Sequence, residues 1–480
     1  MTTELRPAEK AVAGEDGATS FECPLCRRHV SPSAQFPPGA LEPDLVTLVM
    51  ANTPGWQAGR GLCRDCAGRF HGALQYLRAH ETTLETPGVA ILPTPLRIGA
   101  LDEYRGRGVT IAFLDSGFYA HPDLVEPRDR IVHYVDITNA RRRREDIERP
   151  DGSSWHGMMT SVVACGNGHL SSGFYRGVAS EARLVLVKVG HMSRIPHENI
   201  RRGLDWVVKN RQRYGIRIVN VSCGGDYEES YLSDGLSQAA DRATSNGILV
   251  CAAVGNQGHL PGHPVLPPAS APSALTVGGL DDQNRLAFAG YEMYHSSYGP
   301  TIDGLQKPEV IAPGIWVAAP ILPGTPTAAQ AQLLSHLAGA REGELRAIIQ
   351  AHQGIDSDLD AAAALEPQLI RQLIGAKLKG NNVISGAYKH VDGTSFAAPI
   401  VASIAAQMIE ANPGLTPQQI KRVLVRTARR IQGVDVDRQG WGVVDAEKAV
   451  RAALEEPPGE AGGHRGKSKG RLGGAPSHVA

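Results

Sequence analysis

Two groups of residues in this chain have the types and spacing that chemistry requires. The first is the stretch Asp392-Gly393-Thr394-Ser395-Phe396-Ala397-Ala398-Pro399. A turn-forming Gly-Thr pair leads into Ser395, and small and apolar residues run on from Phe396 to Met408. That pattern predicts a buried helix beginning at the serine. Its hydroxyl then lies at the positive end of the helix dipole, beside N–H groups with no intrahelical partner. The position suits a nucleophile whose attack creates an oxyanion, and it equally suits a plain serine N-cap on a core helix. Pro399 is compatible with a first turn that needs no N–H donors.

The second group is cysteine. Cys23-Pro24-Leu25-Cys26 and Cys63-Arg64-Asp65-Cys66 are two Cys-x-x-Cys knuckles. Each sets two thiolates on one tight turn, and four thiolates complete a closed tetrahedral zinc shell. A structural zinc on Cys23, Cys26, Cys63 and Cys66 is therefore expected, in a zinc-ribbon-like module. Residues 27–62 make a longer gap than the usual ribbon spacing, so an inserted segment must lie between the knuckles. A redox role is the other reading, although neither pair sits in a βαβ pattern. His29 and His71 are nearby, but four cysteines suffice.

The surroundings of these groups limit the answer. At 480 residues the chain has room for two or three domains, or one large domain with additions. With 42% hydrophobic and 20% charged residues it reads as an ordinary globular protein. A formal net charge of +0 gives no global field toward nucleic acid or acidic membranes, so neither is expected as a partner. Residues 1–17 contain acids and no apolar core, so no secretory signal is read, and no long apolar run predicts a membrane span. Cys165, Cys223 and Cys251 are scattered in apolar or Gly-rich segments. That usage fits a reducing compartment, and a cytoplasmic location is expected.

Strand and helix patterns alternate through the middle of the chain. Runs 109–114, 184–189, 216–221, 248–253 and 274–277 are short, apolar and β-branched, as strands buried on both faces should be. Helix-length segments 155–165, 197–213 and 232–245 lie between them. The expected fold is α/β, a mostly parallel sheet with helices on both faces. In such sheets chemistry gathers beyond the carboxyl ends of the strands. Asp115 falls at one such end, Ser222-Cys223-Gly224-Gly225 at another and Asn256 near a third, while His156 starts a helix. Each alone reads as readily as a turn former or a structural residue. Gly224 and Gly225 leave backbone bare, so a peptide can pair there as an added strand.

The order Asp…His…Asn…Ser, in Leu114-Asp115-Ser116-Gly117, His156-Gly157, Gly255-Asn256 and Gly393-Thr394-Ser395-Phe396-Ala397-Ala398-Pro399, resembles the subtilisin (subtilase) family of serine peptidases. His121-Pro122-Asp123-Leu124, the run 308–314 and the run 440–446 add to the likeness, which covers roughly residues 105–450. The resemblance implies that Ser395 attacks the scissile carbonyl, His156 moves the proton and Asp115 orients the imidazole. It further implies an oxyanion hole made by the Asn256 side chain and the Ser395 N–H. Substrate would pair along Ser222, Cys223, Gly224 and Gly225, with Leu266 near the floor of a shallow apolar specificity pocket.

The chain departs from the family in several places. Met158-Met159 stands where small residues or Thr are usual, which would alter packing behind the histidine or line a subsite. No family pro-region is visible in 1–98. Asp123 matches a family calcium ligand, but residues 166–173 are not ligand-rich, so calcium stays open. Between Gly314 and Gly393 the chain is long, and apolar residues recur at helical spacing over 326–380. Two or three amphipathic helices are expected there, either as a surface elaboration with its own small core or as a lid or partner-docking arm.

The expected organisation is a loose 1–20, a zinc module over 21–85, a linker over 86–98, a peptidase domain over 99–454 carrying the 326–380 insert, and a disordered tail from 455 to 480. Thr416-Pro417-Gln418-Gln419 starts a capped helix over 417–431, and a last helix spans 445–454. Arg141 to Arg144 read as a solvated loop. The leading functional expectation is an intracellular serine endopeptidase acting on extended polypeptide. The alternative is a latent or inactive binding protein on the same scaffold, recruited through the zinc module, with protein partners at that module or the insert.

Overall fold

The computed structural model describes residues 20–53, 55–80, 91–190, 194–288 and 290–459. The expectations for 1–19 and 460–480, and for much of the linker, lie outside these residues. The core is an eight-stranded sheet. Across it run Glu292–Met293, Leu275–Asp281, Leu249–Ala253, Ile216–Val221, Thr110–Asp115, Arg183–Lys188 and Ile131–Asp136, with Val310–Pro313 also paired to Leu275–Asp281. All these pairs are parallel except that of Glu292–Met293.

The apolar runs are continuous because the sheet is covered twice. In Thr110–Asp115, Ile111 and Phe113 face a core built on helices Ser154–Cys165 and Thr394–Ala411. Ala112 and Leu114 face the opposite core, under helices His197–Tyr214 and Gly235–Ser245. Every second residue goes to each face, and both faces are dry. Strand Ile131–Asp136 escaped sequence detection because it lies at the edge, where exposed Val132 and half-buried His133 interrupt the apolar run.

Thr394–Ala411 is long and apolar enough to cross a membrane by those measures alone, but 83% of it is buried within the fold. It packs on the sheet and on helices Ser154–Cys165 and Ala446–Glu455. Pro399 is its sixth residue, beyond the first turn to which the sequence reading assigned it.

The insert holds four helices where two or three were expected: Pro326–Gly339, Leu345–Ala351, Ser357–Ala362 and Pro367–Gly380. The extra division arises at Asp356, whose carboxylate caps a new helix by accepting from the N–H groups of Asp358 and Leu359. Leu333, Leu334, Leu337, Leu345, Ile349 and Ile370 form its own core. It stands on an antiparallel stalk of Val317–Pro320 and Tyr388–Val391, which places its two ends side by side before Ser395.

At the N-terminal end, helices Pro43–Asn52 and Arg64–Ala79 and four two-residue strands surround the cysteines. The end of the expected linker is a short buried helix, Thr94–Ile98, seated on the sheet domain.

Candidate active site

Asp115 ends the central strand and is fully buried. Its carboxylate accepts from His156 Nδ1 at 2.8 and 3.0 Å, the Ser116 N–H at 2.7 Å and Thr160 Oγ1 at 3.2 Å. Burial works to lower the His156 pKa, but the charge of Asp115 and its hydrogen bond outweigh it, so the pKa is raised. With Nδ1 committed to the carboxylate, Nε2 is left to face the cleft. The helix can approach this closely only because residue 157 is glycine. A Cβ there would stand 2.1 Å from the Gly117 carbonyl oxygen.

Thr160 lies one helical turn after His156, on the same face, and both reach Asp115. The sequence reading missed it, although the i, i+4 spacing was there to be seen. Met158 and Met159 are both buried in the core behind the histidine, so the packing reading of this pair holds and the subsite reading does not.

Ser395 is the second residue of its helix, entered through Gly393 at φ +136°. That backbone region is open to glycine and strained for other residues. The Ser395 Oγ donates to the Ser222 carbonyl at 3.2 Å, and the Ser222 Oγ donates to the Ser395 carbonyl at 2.8 Å. Pro399 explains the second bond. The Ser395 carbonyl would normally accept from the N–H four residues on, which proline lacks. Asn220 Nδ2 in turn donates to the Ser222 Oγ at 2.9 Å. Among the described residues the Ser395 hydroxyl makes no bond to His156; the Phe396 ring stands 5.9 Å from the imidazole.

Asn256 is oriented without ambiguity. Its Oδ1 accepts from the Thr394 N–H at 2.9 Å and Thr394 Oγ1 at 2.8 Å, so Nδ2 is the atom left to donate. Thr394 was read from sequence only as a turn residue. An amide donor and the N–H groups at the start of helix Thr394–Ala411 therefore converge beside the Ser395 hydroxyl, the arrangement that stabilises charge on an oxygen.

Ser222, Cys223, Gly224 and Gly225 follow strand Ile216–Val221 along the same rim. The Gly225 N–H donates to the Pro267 carbonyl at 2.7 Å, and Leu266 lies across from Gly224. Cys223 is half-buried, and burial, then the charge of Asp115, pushes its thiol well above the ordinary range. It is an inert wall rather than a second nucleophile.

The four N-terminal cysteines are all buried and their sulfurs lie within 4.8 Å of one another. Cys23 to Cys66 is 3.8 Å and Cys26 to Cys63 is 3.7 Å. Tetrahedral zinc with Zn–S near 2.3 Å places its sulfurs about 3.8 Å apart, so the cluster fits that ion. Arg28 stands 3.8 Å from the Cys63 sulfur and offsets thiolate charge.

Asp123 does not fit calcium. Fully buried, it accepts from the Tyr388 hydroxyl at 2.6 Å on one oxygen and the Leu170 N–H at 3.1 Å on the other. Calcium requires six to eight oxygens, and among the described residues the only metal-type cluster of His, Cys, Asp and Glu is the cysteine one.

The subtilase family model matches residues 106–442. Serine protease AprX of Bacillus subtilis (strain 168) is 30% identical over 353 residues, 72% of this chain and 66% of that protein. Subtilisin BL of Lederbergia lenta is 27% identical over 352 residues, 72% of this chain and 92% of that protein. Among solved structures, one of proteases from Pseudoalteromonas arctica aligns at TM-score 0.50 with 22% identity, covering 77% of this chain and 96% of that one. Fervidolysin from Fervidobacterium pennivorans aligns at TM-score 0.50 with 19% identity, covering 76% and 46%. At these identities the two structures establish the subtilisin-like fold alone. The chain belongs to the subtilase family of subtilisin-like serine peptidases.

Proposed function

We propose that this protein is an intracellular, cytoplasmic endopeptidase that hydrolyses peptide bonds of extended polypeptides, with Ser395 as nucleophile. The observation that carries the reading is the doubly bonded His156–Asp115 pair, set beside a serine turn whose neighbour Asn256 is pinned with its amide N–H free. A rotation about the Ser395 side chain moves its hydroxyl from the Ser222 carbonyl to His156 Nε2. His156 takes the proton as Oγ attacks the scissile carbonyl, and Asp115 supports the imidazolium. The oxyanion accepts from Asn256 Nδ2 and the Ser395 N–H. His156 then gives the proton to the leaving amine, and water repeats the sequence to release the acyl group. Substrate lies extended along Ser222–Gly225, which favours flexible polypeptide.

Zinc on Cys23, Cys26, Cys63 and Cys66 would be structural, since four thiolates leave no open position. Purified protein should hydrolyse casein, label at Ser395 with a fluorophosphonate and contain about one zinc per chain. Unchanged hydrolysis by Ser395→Ala would end the assignment. A latent protein is the second reading, favoured by one observation: the serine hydroxyl is turned to Ser222. Folded, zinc-loaded protein that fails to label would select it.

A further inference from the structure

Helix Arg64–Ala79 begins inside the cysteine cluster: Cys63 caps it, accepting from the Cys66 N–H, and Cys66 lies in its first turn. Two other residues of this helix reach the sheet domain. The Tyr76 hydroxyl lies 3.1 and 2.7 Å from the carbonyl oxygens of Gly173 and Phe174, one proton shared between them. Phe174 completes the apolar core of the cysteine module. The next residue, Tyr175, donates to the Ile91 carbonyl at 3.2 Å, and its ring centre lies 5.5 Å from that of Tyr388, tilted by 46°. Tyr388, 1% exposed, is the residue bonded to Asp123, and it starts strand Tyr388–Val391, from which Asp392-Gly393 leads into Ser395.

The second contact is on the other flank. Arg69 donates to the Arg97 carbonyl, and its guanidinium lies 4.1 Å from the centre of the Phe288 ring. Arg429 lies 4.2 Å from the same ring. Arg97, 1% exposed, makes a two-pronged ion pair with Asp282 at 2.8 and 2.6 Å and donates to the Ile315 and Trp316 carbonyls. The adjacent Gly314 carbonyl accepts from the Gly393 N–H at 2.8 Å. Both supports of the serine turn, the strand that enters it and the loop that anchors Gly393, thus end on one helix.

We propose that the four-cysteine module is a positioning element of the serine turn, with Tyr76 and Arg69 as its positioning residues. A module this small has too little core to be rigid by itself, and a helix of about this length is marginal alone. Metal binding supplies folding free energy to such modules and fixes the first turn of the helix. Loss of the metal loosens the helix, and with it Tyr175–Tyr388 and Arg97. The proposal rests on the reading of Ser395 as nucleophile for its kinetic readout only.

The full chain is tested as wild type, as wild type stripped with EDTA, as Cys23→Ser/Cys63→Ser and as Tyr76→Phe/Arg69→Gln. Zinc content, amide hydrogen exchange over 166–176 and 388–395, fluorophosphonate labelling and kcat and KM on one peptide are measured. Stripped protein and the cysteine variant should exchange at least tenfold faster in both segments and label at least tenfold more slowly, with KM within twofold. Tyr76→Phe/Arg69→Gln should keep its zinc, yet exchange at least threefold faster there and lose kcat in proportion. Because its cysteines are intact, this variant decides the matter even where the cysteine variant fails to fold. Zinc-loaded Tyr76→Phe/Arg69→Gln with wild-type exchange and kcat would overturn the proposal, as would zinc-free protein with unchanged exchange in both segments. A wild type that never labels refutes the nucleophile reading instead, and the exchange arm still decides the positioning role.

Discussion

Ser222 and Ser395 hold each other by reciprocal hydrogen bonds, each hydroxyl donating to the other's carbonyl. The serine turn and the substrate edge are therefore one unit, and Pro399 is the reason the Ser395 carbonyl is free to accept from Ser222. Ser222→Ala should leave the half-buried Ser395 carbonyl without this donor and cost about 1 kcal/mol. Adding Pro399→Ala restores an N–H four residues on. The double variant should recover part of that loss, whereas Pro399→Ala alone should gain nothing comparable. Denaturant unfolding of the four proteins measures the coupling, and strict additivity would contradict it.

The acid side of the pH profile should be displaced. Asp115 raises the His156 pKa against the effect of burial, so the imidazolium persists above its ordinary value of about 6.5. Only the neutral ring can accept the serine proton, so kcat/KM should fall as pH drops through a midpoint above that value. By linkage, the same group contributes stability that is full below the unfolded pKa and is lost as pH rises through the folded one. In Asp115→Asn the raising causes are gone and burial remains. NMR titration of His156 should then give a midpoint below the ordinary value, with turnover reduced on the order of 10⁴-fold.

Asn256→Ala should reduce kcat about 100–1000-fold with KM little changed, because the lost hydrogen bond exists only once the oxyanion forms. Thr394→Val removes one of the two donors that fix the amide. It should lower kcat by a smaller factor, about tenfold, since the Thr394 N–H still holds Oδ1. A raised KM with kcat unchanged for Thr394→Val would mean that the threonine acts on substrate binding instead.

Arg97 and Asp282 are both within 1% of complete burial at the side chain. Arg97→Met strands an unpaired buried carboxylate and should cost about 3–5 kcal/mol. Arg97→Met/Asp282→Asn should cost less, because the stranded charge is gone. Thermal unfolding distinguishes the two, and a double variant as unstable as the single one would show that the carbonyl contacts to Ile315 and Trp316 dominate.

Much of this could be read from residue order. The double-faced apolar runs gave five of the parallel strands to within a few residues, because strands dry on both sides must be apolar throughout, but not Ile131–Asp136 or Val310–Pro313. Asp115, Asn256 and Ser222 were legible as strand-end residues, and Cys23, Cys26, Cys63 and Cys66 as one shell, because those signals are local. Stalk strands Val317–Pro320 and Tyr388–Val391 were not legible, since their pairing partner lies across the whole insert. Nor was the fourth insert helix, whose start depends on an Asp356 cap inside a polar stretch.

The sequence by itself determined the family, the parallel sheet, the positions of Asp115, His156, Asn256 and Ser395, and the cysteine shell. Only the tertiary structure decided that Pro399 frees a carbonyl for Ser222, that Thr394 turns the Asn256 amide, and that Tyr388 fills the place beside Asp123. It alone joined the cysteine helix to both supports of Ser395. The physical reason is range. Periodicity and turn chemistry act over a few residues, whereas each of these hydrogen bonds closes between segments far apart in sequence that only packing brings together.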